Sequence, residues 1–407
     1  MAVALAIPPK PPSRLFLGVE HSVLGKPWRD RLDERATARA LAIAQRHNLP
    51  ELLARILAGR GVELDEVEAF LDPTVKRLMP DPHTLTAMQE AATRIADAVA
   101  RGEKVAIFGD YDVDGATASA LLARFLRSGG LDPLVYIPDR IFEGYGPNVD
   151  AIRGLADRGA KLLVTVDCGT TSIEPLAEAR KFGLDVVVID HHQADEILPD
   201  AIVVNPNRLD DLSKLGHLAA VGLVFMTVVA VNRILRVRGW WNESRPEPDL
   251  LSLLEIVALG TVADVVPLRG LNRAFVSKGL IALRRRENAG LTALMDAARL
   301  SGPPEPWHLG FGQHLLFERL AFAVEAVEFG RDAPRLHRIV GQQQLRAEIG
   351  ATDAAARVDA RAEHEAEVPR LRRTGQPRGV HQRGQPSVLA AAQCDQPLRN
   401  KGAIESA

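Results

Sequence analysis

The sequence predicts an α/β fold: a mostly parallel sheet with helices on both faces, preceded by a small helical segment. Two observations carry this. From Lys104 onward, short β-branched runs alternate with segments of helical length and period. Between Asp33 and Arg101 the apolar spacing is helical alone. Strands of this kind, separated by helices of this length, indicate βαβ units and a sheet covered on both sides.

Taken in order, residues 1–30 are Pro-rich and irregular. "DERATARALAIAQRHN", "PELLARILAGRG" and "ELDEVEAFLDP" read as short helices punctuated by Gly and Pro. "TLTAMQEAATRIADAVARGE" reads as a longer helix, capped by Thr84 and stopped by Gly102. The alternation follows: strand "KVAIFGD", helix "ATASALLARFLRSGG", strand "PLVYIPD", helix "NVDAIRGLADRGA", strand "KLLVTVD", helix "IEPLAEARKFG", then strands "DVVVID" and "AIVVN". "HLAAVGLVFMTVVAVNRILRV" and "LLSLLEIVALGTVADVV" are helical, and "RGWWNESRPEPD" between them reads as an exposed loop. The apolar stretch Leu218–Val231 is too short to span a bilayer and reads as a buried core helix, so no membrane is expected.

The composition is that of a soluble globular protein, with 46% hydrophobic and 25% charged residues and a net charge of −2. That balance does not exclude nucleic acid, because a basic groove can sit on a neutral protein. Cys168 and Cys394 are the only cysteines. They make neither a disulfide framework nor a structural zinc site, and a reducing, cytoplasmic setting follows. The start, "MAVALAIPPKPPSR", lacks the basic flank of a signal peptide.

Ligands of an open parallel sheet gather beyond the carboxyl ends of its strands. Four clusters fall at such ends or just after a helix: "GDYDVDG" with Asp110, Asp112 and Asp114; "TVDCGT" with Asp167; "VIDHHQ" with Asp190, His191 and His192; and "GTVADVV" with Asp264. An extended chain through Asp110–Asp114 would put all three carboxylates on one side. A divalent cation, or a pair, would offset their repulsion. Oxygen ligands mixed with imidazole suit Mn²⁺ or Mg²⁺. Two such ions about 3.5–4 Å apart can activate water and stabilise the leaving oxygen at a phosphorus centre.

Each cluster alone has a plainer reading. Asp112 or Asp114 would be a helix N-cap, "HH" a surface pair, Asp167 a turn residue and Cys168 a small buried residue. "DYDVDG" also opens a calcium loop of the EF-hand type, but the twelfth position, where Glu is needed, is Leu121. Four clusters at one sheet edge outweigh these separate readings.

The ordered set "GDYDVDG", "VDCG", "DHH" and "GTVADVVPL" resembles the four motifs of the DHH phosphoesterase superfamily. "PDRIFEGYGPN" and "VVNPNR" narrow the resemblance to its single-strand-specific 5′→3′ DNA exonucleases. It covers roughly residues 30–311 and implies three parts: an N-terminal irregular and helical segment (1–84), a DHH domain (85–311) and an aberrant tail (312–407). It implies Asp112, Asp114, Asp167, His191 and Asp264 as ligands of two Mn²⁺ or Mg²⁺ ions, with Asp167 bridging. It implies His192 at the scissile phosphate, Asp110 and Asp190 as orienting groups, and Tyr145 and Asn148 near the substrate. Single-stranded DNA is the implied partner, with single-strand-binding protein and recombination and repair helicases beside it. Phosphodiesterases of short oligonucleotides or cyclic dinucleotides form the alternative within the superfamily, and an inactive product the alternative outside it.

After Phe311 the text changes. Nine glutamines stand in residues 312–407 against three before, and Lys401 is alone beside thirteen arginines. The segment reads either as a disordered Arg- and Ala-rich tail or as a shifted reading frame. No "GGGH" substrate-binding motif occurs. The second catalytic domain and oligonucleotide-binding barrel that the resemblance implies are therefore expected to be missing, and activity on long DNA is expected to be impaired.

Overall fold

The computed structural model describes residues 15–297 together with 300, 302 and 304. The tail from residue 312, and Trp307, lie outside them. The helices are α1 Glu34–His47, α2 Glu51–Gly59, α3 Val67–Leu71, α4 Val75–Leu78, α5 Met88–Arg101, α6 Val113–Ser128, α7 Val149–Asp157, α8 Ile173–Lys181, α9 Ala220–Val237, α10 Leu254–Ala263, α11 Gly270–Leu283 and α12 Ala289–Ala297. The strands are β1 Val105–Gly109, β2 Leu134–Tyr136, β3 Leu162–Val166, β4 Asp185–Ile189 and β5 Ile202–Val204.

All four strand pairings are parallel and the sheet order is β2-β1-β3-β4-β5. The connections run outward from β1 in both directions, so a crevice opens between the carboxyl ends of β1 and β3. That switch point is where doubly wound sheets bind ligands. Alternate residues of each strand enter two separate cores. Val105, Ile107, Val164 and Ile189 pack with α5, α6, α9, α10 and α11. Ala106, Phe108, Leu163 and Val188 pack with α7 and α8 on the other face. β1 and β3 are wholly buried, which is why their sequences are continuously apolar.

The N-terminal helices form a smaller cluster of their own around Ile43, Ala54, Leu57 and Val67. Asp33 caps α1 by accepting from Ala36 N at 2.7 Å, and Asn48 ends it in the left-handed region at φ +50°. Gly102 closes α5 at φ +64°, as expected.

Three local expectations are corrected. Thr84 does not cap α5. It lies in a preceding 3₁₀ turn, Pro82–Thr84, because Asp81 captures His83 N first, and α5 opens at Ala87 with no side-chain cap. The segment 238–249 is not simply exposed. Trp240 and Trp241 pack against the core, and the Arg245 guanidinium sits 4.1 Å from the centre of the Trp240 ring. The chain also does not stay extended through Asp114, since α6 begins at Val113. Helix α9 is long and apolar enough to cross a bilayer by length and composition, but it lies mostly buried in the core.

The early start of α6 depends on Gly115. A Cβ there would meet the backbone of Asp110 at 2.5–2.7 Å, which no flexible neighbour can relieve. Gly115→Ala is expected to destabilise the chain by about 3 kcal/mol, the upper range for overpacking, measured by urea unfolding. An unchanged midpoint would contradict this packing.

Candidate metal centre

The three carboxylates after β1 arrive by different routes. Asp110 follows the strand directly and is buried. Asp112 is the N-cap of α6 and accepts from Gly115 N at 3.0 Å. The capping reading of Asp112 is therefore correct, and a carboxylate so engaged keeps lone pairs to spare. Asp114 sits in the first turn of α6 and is fully buried. Its two oxygens accept from Ala220 N at 2.6 Å and Val221 N at 2.9 Å, the first amides of α9. That helix N-terminus is a fitting place for a buried anion.

Asp167 follows β3 at φ +60°, an uncommon conformation for a residue other than glycine. The turn aims its carboxylate at His191. His191 Nε2 lies 3.2 Å from Asp167 Oδ1, 3.7 Å from Asp264 Oδ2 and 3.8 Å from Asp114 Oδ2. Asp264 reaches the same place as the C-cap of α10. His192 packs beside His191, ring centroids 4.8 Å apart, but makes its own hydrogen bonds. Its Nδ1 lies 2.8 Å from Asp190 Oδ1 and 3.2 Å from the Tyr145 hydroxyl. Tyr145 also donates to Asp167 O at 3.4 Å. Asn148 is placed differently. It caps α7 through Ala151 N and donates to Glu143, so its amide serves the loop rather than the cluster.

Charge in this cluster is strongly opposed. Burial pushes the Asp110 and Asp264 carboxyls up to about 6, with Asp112 adding repulsion to both. Burial, then Asp264, drives Asp114 well above the usual carboxylate range; burial, then Asp114, does the same to Asp167. Asp190 is the exception. Burial opposes its charge, but hydrogen bonds from His192 and Thr170 hold it at about 2. That bond to Asp190 raises the His192 pKa against burial. Burial and His192 lower that of His191, which favours the neutral, ligating imidazole.

Three buried oxygens, Asp110 Oδ1, Asp167 Oδ1 and Asp264 Oδ2, have no hydrogen-bond partner. Three sets of donors close to within 4.8 Å among themselves: Asp110, Asp112 and Asp167; Asp114, His191 and Asp264; and Asp167, His191 and His192. Buried carboxylates facing one another without donors fit a hard divalent cation, and the shared Asp167 fits a position between two. Asp110, expected to orient neighbours, lies within reach of the same space.

Thr170, Asn205 and Asn207 were not singled out by sequence, although "VVNPNR" contains the two asparagines. The two asparagines bind the site's backbone, and Thr170 donates its N–H to the Asp190 carboxylate. Asn205 Nδ2 donates to His192 O and to Thr170 Oγ1, both at 2.9 Å.

Fold and cluster together define a class: an α/β domain with a carboxylate–imidazole centre at the switch point of its sheet. The chain belongs to the DHH family, whose N-terminal domain matches residues 104–261. Among curated proteins it is similar to the single-stranded-DNA-specific exonuclease RecJ of Dickeya dadantii, with 40% identity over 256 residues. That alignment takes in 62% of this chain and 44% of the relative, so the chain spans less than half the relative's length. It is also similar to a crystal structure of exonuclease RecJ bound to manganese, with 30% identity and a TM-score of 0.56 over 68% of this chain and 70% of the other. RecJ of Thermus thermophilus in complex with Mn²⁺ matches at 26% identity and a TM-score of 0.57, over 78% of this chain and 46% of that one.

Proposed function

We propose that this chain is a metal-dependent phosphodiesterase of the RecJ kind, releasing 5′-mononucleotides from single-stranded DNA with two Mn²⁺ or Mg²⁺ ions. The observation that carries the reading is the set of donorless buried oxygens of Asp110, Asp167 and Asp264 at the switch point, the last two within 3.7 Å of the His191 imidazole. Asp112, Asp114, Asp167, His191 and Asp264 would hold the ions, with Asp167 serving both. Once bound, the ions would supply an activated water and neutralise charge on the phosphoryl oxygens.

The chain's own residues account for the rest. Asp190 accepts the Nδ1 proton of His192, which fixes the ring and leaves Nε2–H to face an anionic phosphate. The raised pKa keeps that ring protonated nearer neutral pH, where it can stabilise developing charge. Tyr145 packs edge-on against His192 with ring centroids 5.7 Å apart and offers an aromatic face beside the phosphate position. Asn148 holds the loop that carries Tyr145. The division at residue 84 belongs to this reading; the apolar cluster of α1 and α2 is separate, while Val75 and Leu78 of α4 pack against the main core. A cytoplasmic setting belongs to it too, supported by the free, buried Cys168. So do single-strand-binding protein and repair helicases as partners.

The test is an assay of 5′-labelled single-stranded DNA and of a dinucleotide, with Mn²⁺ and with chelator. Chelator-sensitive cleavage of the dinucleotide, with only weak release of labelled mononucleotide from the long strand, is the expected result. Cleavage of the dinucleotide alone would replace this substrate with short oligonucleotides. Cleavage of neither would contradict the proposal.

A further inference from the structure

We propose that Asn205 and Asn207 are positioning residues for the metal centre: they lock three strand-end loops together and set the direction of His191 and His192 without entering the site. The inference rests on the metal-binding reading above and extends it to residues that touch no ligand.

Asn205 follows β5 and is fully buried. Its two Nδ2 protons go to different loops. One reaches Thr170 Oγ1 in the loop that begins with Asp167, and the other reaches His192 O in the loop after β4. Its Oδ1 accepts from Asn207 N at 2.8 Å, so the side chain is fully used. Thr170 returns the link by donating its backbone N–H to Asp190 Oδ2 at 3.0 Å. Asn205 therefore ties the loop carrying Asp167 to the loop carrying Asp190 and both histidines.

Asn207 completes the frame. Its Nδ2 donates to His191 O and lies 3.5 Å from Gly216 O. Gly216 packs so closely on Asn207 that a Cβ there would collide with Oδ1. The stretch after Gly216 leads into α9, whose first amides hold Asp114. The second asparagine thus joins the histidine loop to the helix terminus that fixes a third proposed ligand.

The consequence is directional. The carbonyls of His191 and His192 are held by two different asparagines, so two successive peptide planes are fixed. Asp190 holds the amides of the same two residues, at 2.7 and 3.2 Å. With both faces of the dipeptide bound, the two imidazoles are held edge-on, their ring centroids 4.8 Å apart. His191 Nε2 is directed at Asp167, Asp264 and Asp114, while His192 Nδ1 bonds Asp190 and Tyr145 and stays 3.9 Å from Asp167 Oδ1. Groups that orient ligands in this way typically change metal affinity by about 10–100-fold when removed.

The test compares Asn207→Ala and Asn205→Ser with Asn232→Ala as a control. Asn232 is also buried and donates to Glu247, away from the centre. Mn²⁺ affinity is measured by calorimetry, and the electron paramagnetic resonance spectrum of bound Mn²⁺ is recorded for each folded protein. Asn207→Ala is expected to weaken Mn²⁺ binding about 10–100-fold and to alter the spectrum. Asn232→Ala is expected to lower the melting temperature with affinity and spectrum unchanged. If Asn205→Ser does not fold, Asn207→Ala, whose side chain is only partly buried, decides alone. Wild-type affinity and spectrum in Asn207→Ala would overturn the inference while leaving the metal reading intact. Failure of the wild-type chain to bind Mn²⁺ would overturn the metal reading and this inference with it.

Discussion

Asp167→Asn is expected to raise the melting temperature of the metal-free chain and to abolish the further rise that Mn²⁺ produces in the wild type. Asparagine keeps the shape of the side chain and tolerates the left-handed backbone at φ +60°. It removes a buried charge that burial and Asp114 both oppose. The apo protein gains from that removal, and the ions lose the carboxylate that belongs to two of the three donor sets. For the wild type, Mn²⁺ at a hundred times its dissociation constant stabilises by about 2.7 kcal/mol. In a domain of this size that is a rise of roughly 5–10 °C. The opposite signs separate a ligand from a residue that merely supports the fold, whose loss would lower both temperatures. Thermal unfolding with and without Mn²⁺ reads both numbers. A preserved Mn²⁺ rise in Asp167→Asn would remove Asp167 from the ligand set.

The second large effect distinguishes two neighbouring histidines. His191 is largely buried and faces three carboxylates, whereas His192 is about half exposed and leans on Asp190. His191→Ala is expected to lose Mn²⁺ binding and turnover together. His192→Ala is expected to bind Mn²⁺ normally and to lose about 10²–10³ in kcat, the usual value of one group that stabilises transition-state charge. Calorimetry and a steady-state assay on the same preparations separate the two. Equal Mn²⁺ affinity in both variants would show that the imidazoles do not divide the work in this way.

Much of this was legible in the sequence, because burial on two faces writes itself into strands as continuous β-branched runs. β1, β3 and β4 lie where those runs do, and the clusters at their ends were visible as local text. The conformation of Asp110–Asp114 was not. Its D-x-D-x-D alternation imitates a strand, and the helix wins because Asp112 can cap it and Gly115 lets it pack on Asp110. Thr84 lost its expected role to Asp81 for a similar reason: two polar residues competed for nearby amides and the earlier one prevailed. Trp240 and Trp241 sit in polar, Pro-rich text that says nothing of the core they cover. The asparagines after β5 were hardest to read. Each is an ordinary turn residue locally, and its partners lie up to 35 positions away on loops that only the sheet brings together.

The central claim is that this cluster holds two divalent ions, and calorimetric titration of the metal-free wild-type chain with Mn²⁺ tests it most directly. The account predicts a stoichiometry of two Mn²⁺ per chain, falling to none in Asp167→Asn. A wild-type chain that binds one ion or none, with its fold intact, would contradict it.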